Sequence, residues 1–373
     1  MMKKTVFLLL IPVLFTSGCE EVFIEKEQEN SFLNNFEILW QTIDENYTYF
    51  KAKDIDWDAV YDTYRPQVER LEKDDVRGLF DIFNEMLFML EDGHVNLQAG
   101  FDFTRYEDWR LDFPQNFNFD NVERNYLLNP ERSSLYEITG PFYNAYIDTI
   151  GYVYYNSFTE DFSGGLVDYL VNKFSAGFDN DGNLVSKGLI IDVRDNGGGS
   201  VTNARTLARR FAEARTRVYN VFYKNGPGKD DFTEPAPEFI EPADATYNGP
   251  VVILTNRSCY SATTFFVQMM REVLPNTRLR IIGDNTGGGG GLPISKELPI
   301  GWRYRFSSTV TLAPGSRNIH SDNPNINIEF GIPVDEQVGI TEQNIAAGRD
   351  PIIERAIELI SNAFNEQVNR SGG

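Results

Sequence analysis

Three segments near the start of the chain repeat apolar residues every three to four positions: NNFEILWQTIDENY (34–47), DWDAVYDTYRPQVERL (56–71) and DVRGLFDIFNEMLFML (75–90). That spacing puts the apolar residues on one face of a helix. The polar connectors KAKDI and EKD between them predict a small helical bundle over 31–97. From 98 to 148 the period is lost. Aromatic, turn-rich stretches such as LDFPQNFNFDN and LNPERSS predict a connector or a small β subdomain there. From about 149 to 366, short apolar runs alternate with helical patterns: IGYVYYNSF, DFSGGLVDYLVNKF, GLIIDVR, VTNARTLARRF, RVYNVFYK and GPVVILTN. Such alternation predicts βαβ units and a sheet covered by helices, an α/β core. KELPIGWRYRFSSTVTL alternates polar and apolar residues as antiparallel strands do, and DPIIERAIELISNAF starts a closing helix at an Asp-Pro pair.

Chemistry concentrates where these strands stop. In NRSCYSATTFF (256–266) a serine, Ser261, stands between the strand GPVVILTN and a helix with apolar residues at 262, 265, 266, 269, 270 and 273. A serine at such a junction can project its hydroxyl from a sharp turn, beside free N–H groups of the new helix that suit an oxyanion. The same residue would also serve as an ordinary helix N-cap. Two further strands, in GLIIDVRDNGGGS (188–200) and RIIGDNTGGGGGLP (280–293), run directly into glycines, where backbone can approach a ligand closely.

Taken together, these three segments resemble the core of the serine proteases that include the C-terminal processing peptidases and the tricorn protease core. DVRDNGGG is similar to that family's Asp-x-Arg-x-Asn-x-Gly-Gly loop, SAT at 261–263 to its nucleophile turn, and IGDNTGGGG to its following Gly-rich strand end. The resemblance covers roughly residues 30–360 and implies a spiral αβ core of the crotonase and ClpP type behind a small N-terminal helical bundle. It also implies Ser261 as nucleophile. Members of the lysine branch carry their base in a Gly-Lys-Gly step, which here reads GGGGG, with Gly289 at the lysine position. Lys296 lies a few residues on and reads as a solvated strand charge. The histidine branch, typified by the tricorn core, is the better match. His94, in MLEDGHVNL, stands where that branch has its base, although a helix-end histidine is its plain alternative. A neutral imidazole near pH 7 can take the serine proton and return it to the leaving amine.

The resemblance further implies Glu329, just before Gly-Ile-Pro-x-Asp, as the carboxylate that orients the imidazole. Its plain alternative is an outward charge on a half-buried strand. Backbone amides of Gly198 and Ala262 are the implied oxyanion donors. Gly93 stands where the tricorn core has a serine, so a triad is expected in place of a tetrad. Many family members insert a PDZ domain after the helical region, but about 50 residues is too short for a complete one. His320, among Asn, Ser, Asp and Pro, reads as a surface loop residue. Cys259, two residues from the serine, reads as a small buried hydrophobe.

Other chemistries do not fit the pattern. Neither GxxxxGK[ST] nor GxGxxG between strand and helix occurs, because GGGGGLP ends in proline. DNDGN (179–183) resembles the start of a calcium loop, yet its glycine comes two positions early and no twelfth-position glutamate follows. Two widely separated histidines and two cysteines make no zinc constellation. No metal and no cofactor is expected.

The first residues, MMKKTVFLLLIPVLFTSGC, combine a basic start, a short apolar stretch and a small-residue end, as a signal peptide does. Ser17-Gly18-Cys19 resembles a bacterial lipoprotein signal: residues 1–18 removed, Cys19 lipidated, and 19–30 an acidic tether. Thr16 departs from the usual aliphatic residue. A membrane-anchored protein of the cell envelope is expected, periplasmic or surface-exposed, with peptides or unfolded proteins as partners. Net charge is −21, or −23 without Lys3 and Lys4, which disfavours nucleic acid. The reading is a serine endopeptidase with Ser261, His94 and Glu329. A peptide- or ligand-binding protein on the same scaffold is the alternative.

Overall fold

The computed structural model describes residues 29–162 and 165–371. Cys19 and the signal-like stretch before it lie outside the described residues. Helices α1 (Phe32–Asn46), α2 (Trp57–Arg70) and α3 (Val76–Phe88) open the chain. Each starts at a residue whose side chain accepts a first-turn amide: Ser31, Asp56 and Asp75. Such a cap stabilises a helix by about 1 kcal/mol. Strands β1 (Asn96–Gln98) and β2 (Phe103–Arg105), and short helices α4 (Asp108–Leu111) and α5 (Phe119–Val122), follow.

Strands β3 (Ser133–Thr139), β4 (Phe142–Ile147) and β5 (Ile150–Tyr154) then form a meander, followed by α6 (Leu166–Lys173) and a ribbon of β6 (Gly177–Phe178) and β7 (Leu184–Ser186). The core continues through β8 (Leu189–Asp192), α7 (Val201–Ala208), β9 (Thr216–Tyr223), β10 (Ala236–Ile240), β11 (Val251–Thr255), α8 (Ala262–Val273) and β12 (Leu279–Gly283). Strands β13 (Pro293–Glu297), β14 (Arg303–Ser307), β15 (Thr309–Leu312) and β16 (Glu336–Gln337), with α9 (Glu342–Ala346) and α10 (Pro351–Ser371), complete it.

The central sheet has the order β16-β12-β11-β8-β5-β4-β3. Its middle strands β12, β11, β8 and β5 are parallel. β5, β8 and β11 are buried along their whole length, as the near-continuous apolar runs VVILT and LIID require. Residues of α6, α7 and α8 pack on one face and those of α10 on the other. The segment 98–148, expected as a connector or a small β subdomain, gives β3 and β4 to this sheet, so the sheet's edge lies upstream of residue 149.

A four-stranded antiparallel sheet, β13-β14-β1-β2, shares a core with α1–α3: Trp57, Phe80, Phe83 and Leu97 pack with Trp302, Tyr304 and Phe306. This second core ties the first hundred residues to strands two hundred residues later. No helix among the described residues is long and apolar enough to cross a membrane.

Candidate active site

Three parallel strands end side by side and deliver the glycine-rich segments to one edge of the sheet. After β8, Arg194 is fully buried, with Nη2 2.6 Å from Asp192 and Nη1 2.9 Å from Asp350. Its guanidinium also lies 4.6 Å from the centre of the Phe117 ring. A planar, permanently charged fork suits this double ion pair, and it holds the loop against the start of α10. Asn196 then locks that loop to α8. Its carbonyl accepts the Tyr260 amide at 3.1 Å, and its Oδ1 accepts the Thr263 hydroxyl at 2.7 Å and the Gly198 amide at 3.0 Å. The Gly198 N–H, one of the two expected oxyanion donors, is thus directed to the Asn196 side chain. Ala262, the other, is the first residue of α8, where amides lack intrahelical partners.

Ser261 stands at the N-terminus of α8 with φ 55° and ψ −121°, a backbone conformation that costs a non-glycine residue about 1–3 kcal/mol. Its side chain makes no capping bond to the helix. Instead Oγ lies 2.9 Å from Nε2 of His94, which comes from a position 167 residues earlier.

His94 sits in the turn after α3. Asp92 Oδ1 accepts the His94 amide at 2.7 Å, and Tyr260 OH donates to the same oxygen at 3.3 Å. The imidazole packs beside the Tyr260 ring, centroids 5.0 Å apart. Only 5% of His94 is exposed. Burial, opposed by the Asp92 charge but aided by Arg305, Lys53 and Arg105, pushes the imidazole down to about 4, so near pH 7 the ring is neutral and able to accept a proton. Nδ1 is buried without a hydrogen-bond partner.

Glu329 belongs to a single 3-10 turn, Ile328–Phe330, and its side chain is only 3% exposed. It does not meet the imidazole in the expected way. Oε1 accepts from Lys53 Nζ at 2.9 Å and Oε2 from the Gly290 amide at 3.0 Å. Lys53 also donates to the Glu91 carbonyl at 2.9 Å. Burial raises the Glu329 carboxyl to about 7, against the pull of Lys53 and with the push of Asp92. For Asp92, burial is outweighed by Lys53 and His94, and its carboxyl is held below the usual range. Burial likewise pulls the Lys53 ammonium down, but Glu329 and Asp92 outweigh it and hold it above its ordinary value. One cation between two buried carboxylates pushes their titrations apart.

Two departures from the family pattern have steric causes. A Cβ at Gly93 would come within 2.5 Å of Trp109 Nε1 and 2.9 Å of the Tyr260 ring, so Trp109 occupies the space where a serine would stand. Gly289 has φ 81°, and a Cβ there would come within 2.6 Å of Tyr260 and 3.0 Å of the Ser261 amide. A lysine has no room beside Ser261. Lys296 is exposed on β13, paired in register with Tyr304. Cys259 is buried, donates to the Val193 carbonyl at 3.0 Å, and has its thiol pushed far up by burial. His320 lies 2.8 Å from Asp230 at the surface. Trp109, stacked on Tyr260 at 4.2 Å, and Tyr260, Asp92 and Lys53 are site residues that sequence reasoning missed. Beside Tyr260, a cleft of about 540 Å³ is lined by Arg105, Trp109, Phe113, Asp195, Gly197 and Ser258 among others.

Two family models match. The one described as Peptidase family S41 covers residues 149–331, and the one described as Tricorn protease C1 domain covers 28–88. Ser261 and Glu329 fall inside the first, Lys53 inside the second, and His94 between them. Among curated proteins, the carboxy-terminal processing protease CtpA of Bacillus subtilis (strain 168) is 24% identical over 186 residues, 50% of this chain and 36% of that protein. The match therefore spans about a third of that relative's length. Among solved structures, a protein of Parabacteroides merdae ATCC 43184 described as a "putative peptidase" is 42% identical, with 89% of this chain and 97% of that one covered and a TM-score of 0.77. Mature CPAF, at 12% identity, covers 89% of this chain and 98% of its own with a TM-score of 0.63, a likeness of fold alone.

Proposed function

Because the chain belongs to peptidase family S41, a family of serine-type peptidases, we propose that it is an endopeptidase that cuts peptides and unfolded proteins through an acyl-enzyme on Ser261. The observation that carries this reading is the 2.9 Å contact between Ser261 Oγ and His94 Nε2. A hydroxyl is a weak nucleophile until an adjacent base removes its proton. Neutral His94 accepts that proton as Oγ attacks the substrate carbonyl, and the resulting imidazolium returns it to the leaving amine. Water then attacks the ester by the same route in reverse.

The oxyanion of the tetrahedral intermediate is met by the Ala262 amide and by the Gly198 amide turned from Asn196. One such donor is worth about 3–4 kcal/mol of transition-state stabilisation. Glu329 acts on the imidazolium as a buried negative charge held beside the site by Lys53 and Gly290. The cleft walled by Trp109, Phe113 and Tyr260 and edged by Arg105, Arg110 and Asp195 receives substrate residues beside the scissile bond.

Residues 1–18 act as an export signal, and Cys19 carries the lipid that holds the protein at the cell envelope. Substitution Cys19→Ala moves the protein from the membrane fraction to the soluble fraction; unchanged partitioning would overturn the anchor. Activity is tested by incubating the purified chain with a reduced, alkylated protein. Wild type fragments it and Ser261→Ala does not. Intact substrate with folded wild type would favour a protein that binds such chains without cutting them.

A further inference from the structure

Lys53 takes no part in proton transfer, yet it connects three separate pieces of the site. We propose that Lys53 is a positioning residue of the peptidase centre, a cation by which the N-terminal helical unit fixes Glu329 and the His94 turn relative to each other. The proposal rests on the reading of Ser261 and His94 as nucleophile and base.

Lys53 lies in the connector between α1 and α2, 276 positions from the carboxylate it meets. Its ammonium donates to Glu329 Oε1 at 2.9 Å, to the Glu91 carbonyl at 2.9 Å and, more weakly, to the Leu90 carbonyl at 3.4 Å. Leu90 and Glu91 are the residues directly before the Asp92–His94 turn. Three donors are all that an ammonium has, and here each goes to an element of the site. The connector is itself held from below: Tyr47 OH donates to the same Leu90 carbonyl at 3.2 Å, and the Lys53 amide donates to Tyr49 at 3.0 Å.

An ion pair kept for stability alone belongs at the surface, where it costs little; Lys51, two residues away, makes such an exposed pair with Asp230. The side chains of Lys53 and Glu329 are only 8% and 3% exposed. Desolvating two charges is expensive, and well-packed apolar residues often replace such pairs without loss. What an apolar pair would not provide is one cation that holds both the Glu329 carboxylate and the backbone before the His94 turn. The groups facing Glu329 are Lys53, Asp92, the Gly290 amide and the buried tyrosines Tyr47, Tyr49 and Tyr260, and those facing His94 are Asp92, Tyr260, Arg305, Lys53 and Arg105. Among these Lys53 is the cation hydrogen-bonded to Glu329. Without it the Glu329 carboxyl ionises at higher pH, and Glu329 and the backbone before the His94 turn lose their common partner.

The test is the rate at which a fluorophosphonate probe labels Ser261 in the purified full chain, measured from pH 6 to 9. Lys53→Met slows labelling at pH 7 by about tenfold, the equivalent of one pKa unit, and less at pH 9, where Glu329 ionises unaided. Lys53→Arg recovers most of the rate, and Lys51→Met leaves it unchanged. In a Glu329→Gln background Lys53→Met adds little, because the partner it acts through is gone. Should Lys53→Met fail to fold, Lys53→Arg and the Lys53→Met/Glu329→Gln double variant, which removes both members of the ion pair, decide the matter. Lys53→Arg keeps most of the wild-type rate and its pH dependence, and the double variant matches Glu329→Gln in rate and lacks that dependence. Equal labelling of wild type and Lys53→Met overturns the proposal, as does a loss that is uniform in pH and multiplies with that of Glu329→Gln. A wild type inert to the probe overturns the peptidase reading, and this proposal with it.

Discussion

The two halves of the site are built on different physical principles. The nucleophile half is made of backbone: a parallel strand, a strained turn and a helix N-terminus place Ser261, and glycines without side chains surround it. The base half is made of buried charge. His94, Asp92, Lys53 and Glu329 come from three distant stretches of the chain and are held by one buried ion pair and by hydrogen bonds to backbone groups and the Tyr260 hydroxyl. Backbone geometry is specified locally, by motifs a few residues long. Charge geometry is specified by the tertiary fold, so its sequence signal is scattered and weak. The first half should therefore break by steric change and the second by change of charge or pH.

The largest stability effect is expected at the buried support of the nucleophile half. Arg194→Met strips the ion partner from fully buried Asp192 and Asp350, and unfolding free energy should fall by about 3–5 kcal/mol. Denaturant titration measures it. A loss below about 1 kcal/mol would show that the loop is held by other contacts. Steric change on the nucleophile side comes next. Gly289→Lys should not install a lysine base; with φ 81° and Tyr260 at 2.6 Å from the new Cβ, it should cost about 2 kcal/mol or more. A Gly289→Lys variant as stable and reactive as wild type would break the contrast.

The base side should respond to pH. His94 is protonated only near 4, whereas Glu329 ionises near 7. Reactivity of Ser261 should rise as pH passes upward through about 7 and Glu329 gains its charge, with a second fall only as pH drops toward 4. Glu329→Gln removes the upper step and leaves the lower, which a rate profile from pH 4 to 9 resolves. A single step near 6.5 would mean that burial does not depress the imidazole. In stability the two groups oppose each other. As pH drops from about 6.5 to about 4 the unfolded chain binds the His94 proton and the folded chain does not, so His94 makes stability fall. As pH drops from about 7 to about 4.5 the folded chain binds the Glu329 proton and the unfolded chain does not, so Glu329 makes stability rise, and Glu329→Gln exposes the His94 slope.

The contrast also decides what the sequence makes legible. Apolar periodicity and the β-branched runs LIID and VVILT make the α/β core readable, because a doubly covered parallel sheet requires them. Ser261 is marked by a strand, a turn and a helix in succession, and His94 by a short motif after α3. The roles of β3 and β4 are not readable, since a meander built from an aromatic, irregular stretch lacks clean alternation. Glu329 alternates with Ile328 and Phe330 as a strand charge would, yet these residues form a 3-10 turn that swings the carboxylate inward. Lys53 stands in KAKDI, which reads as an ordinary polar connector. Its one hint is the aromatic run Tyr47 to Phe50 before it, buried throughout. Trp109 is hidden in the same way, since nothing in its segment says that it fills the space beside Gly93.

The most direct test of the central claim is to treat the purified protein with a fluorophosphonate probe and locate the adduct by peptide mass mapping. Only a hydroxyl activated by a base beside an oxyanion site reacts readily. The expected result is one adduct, on Ser261, absent from Ser261→Ala and reduced by about 10⁴-fold or more in His94→Ala while both variants keep the wild-type melting profile. Folded wild type that takes up no probe, or that is labelled equally in His94→Ala, would contradict the account.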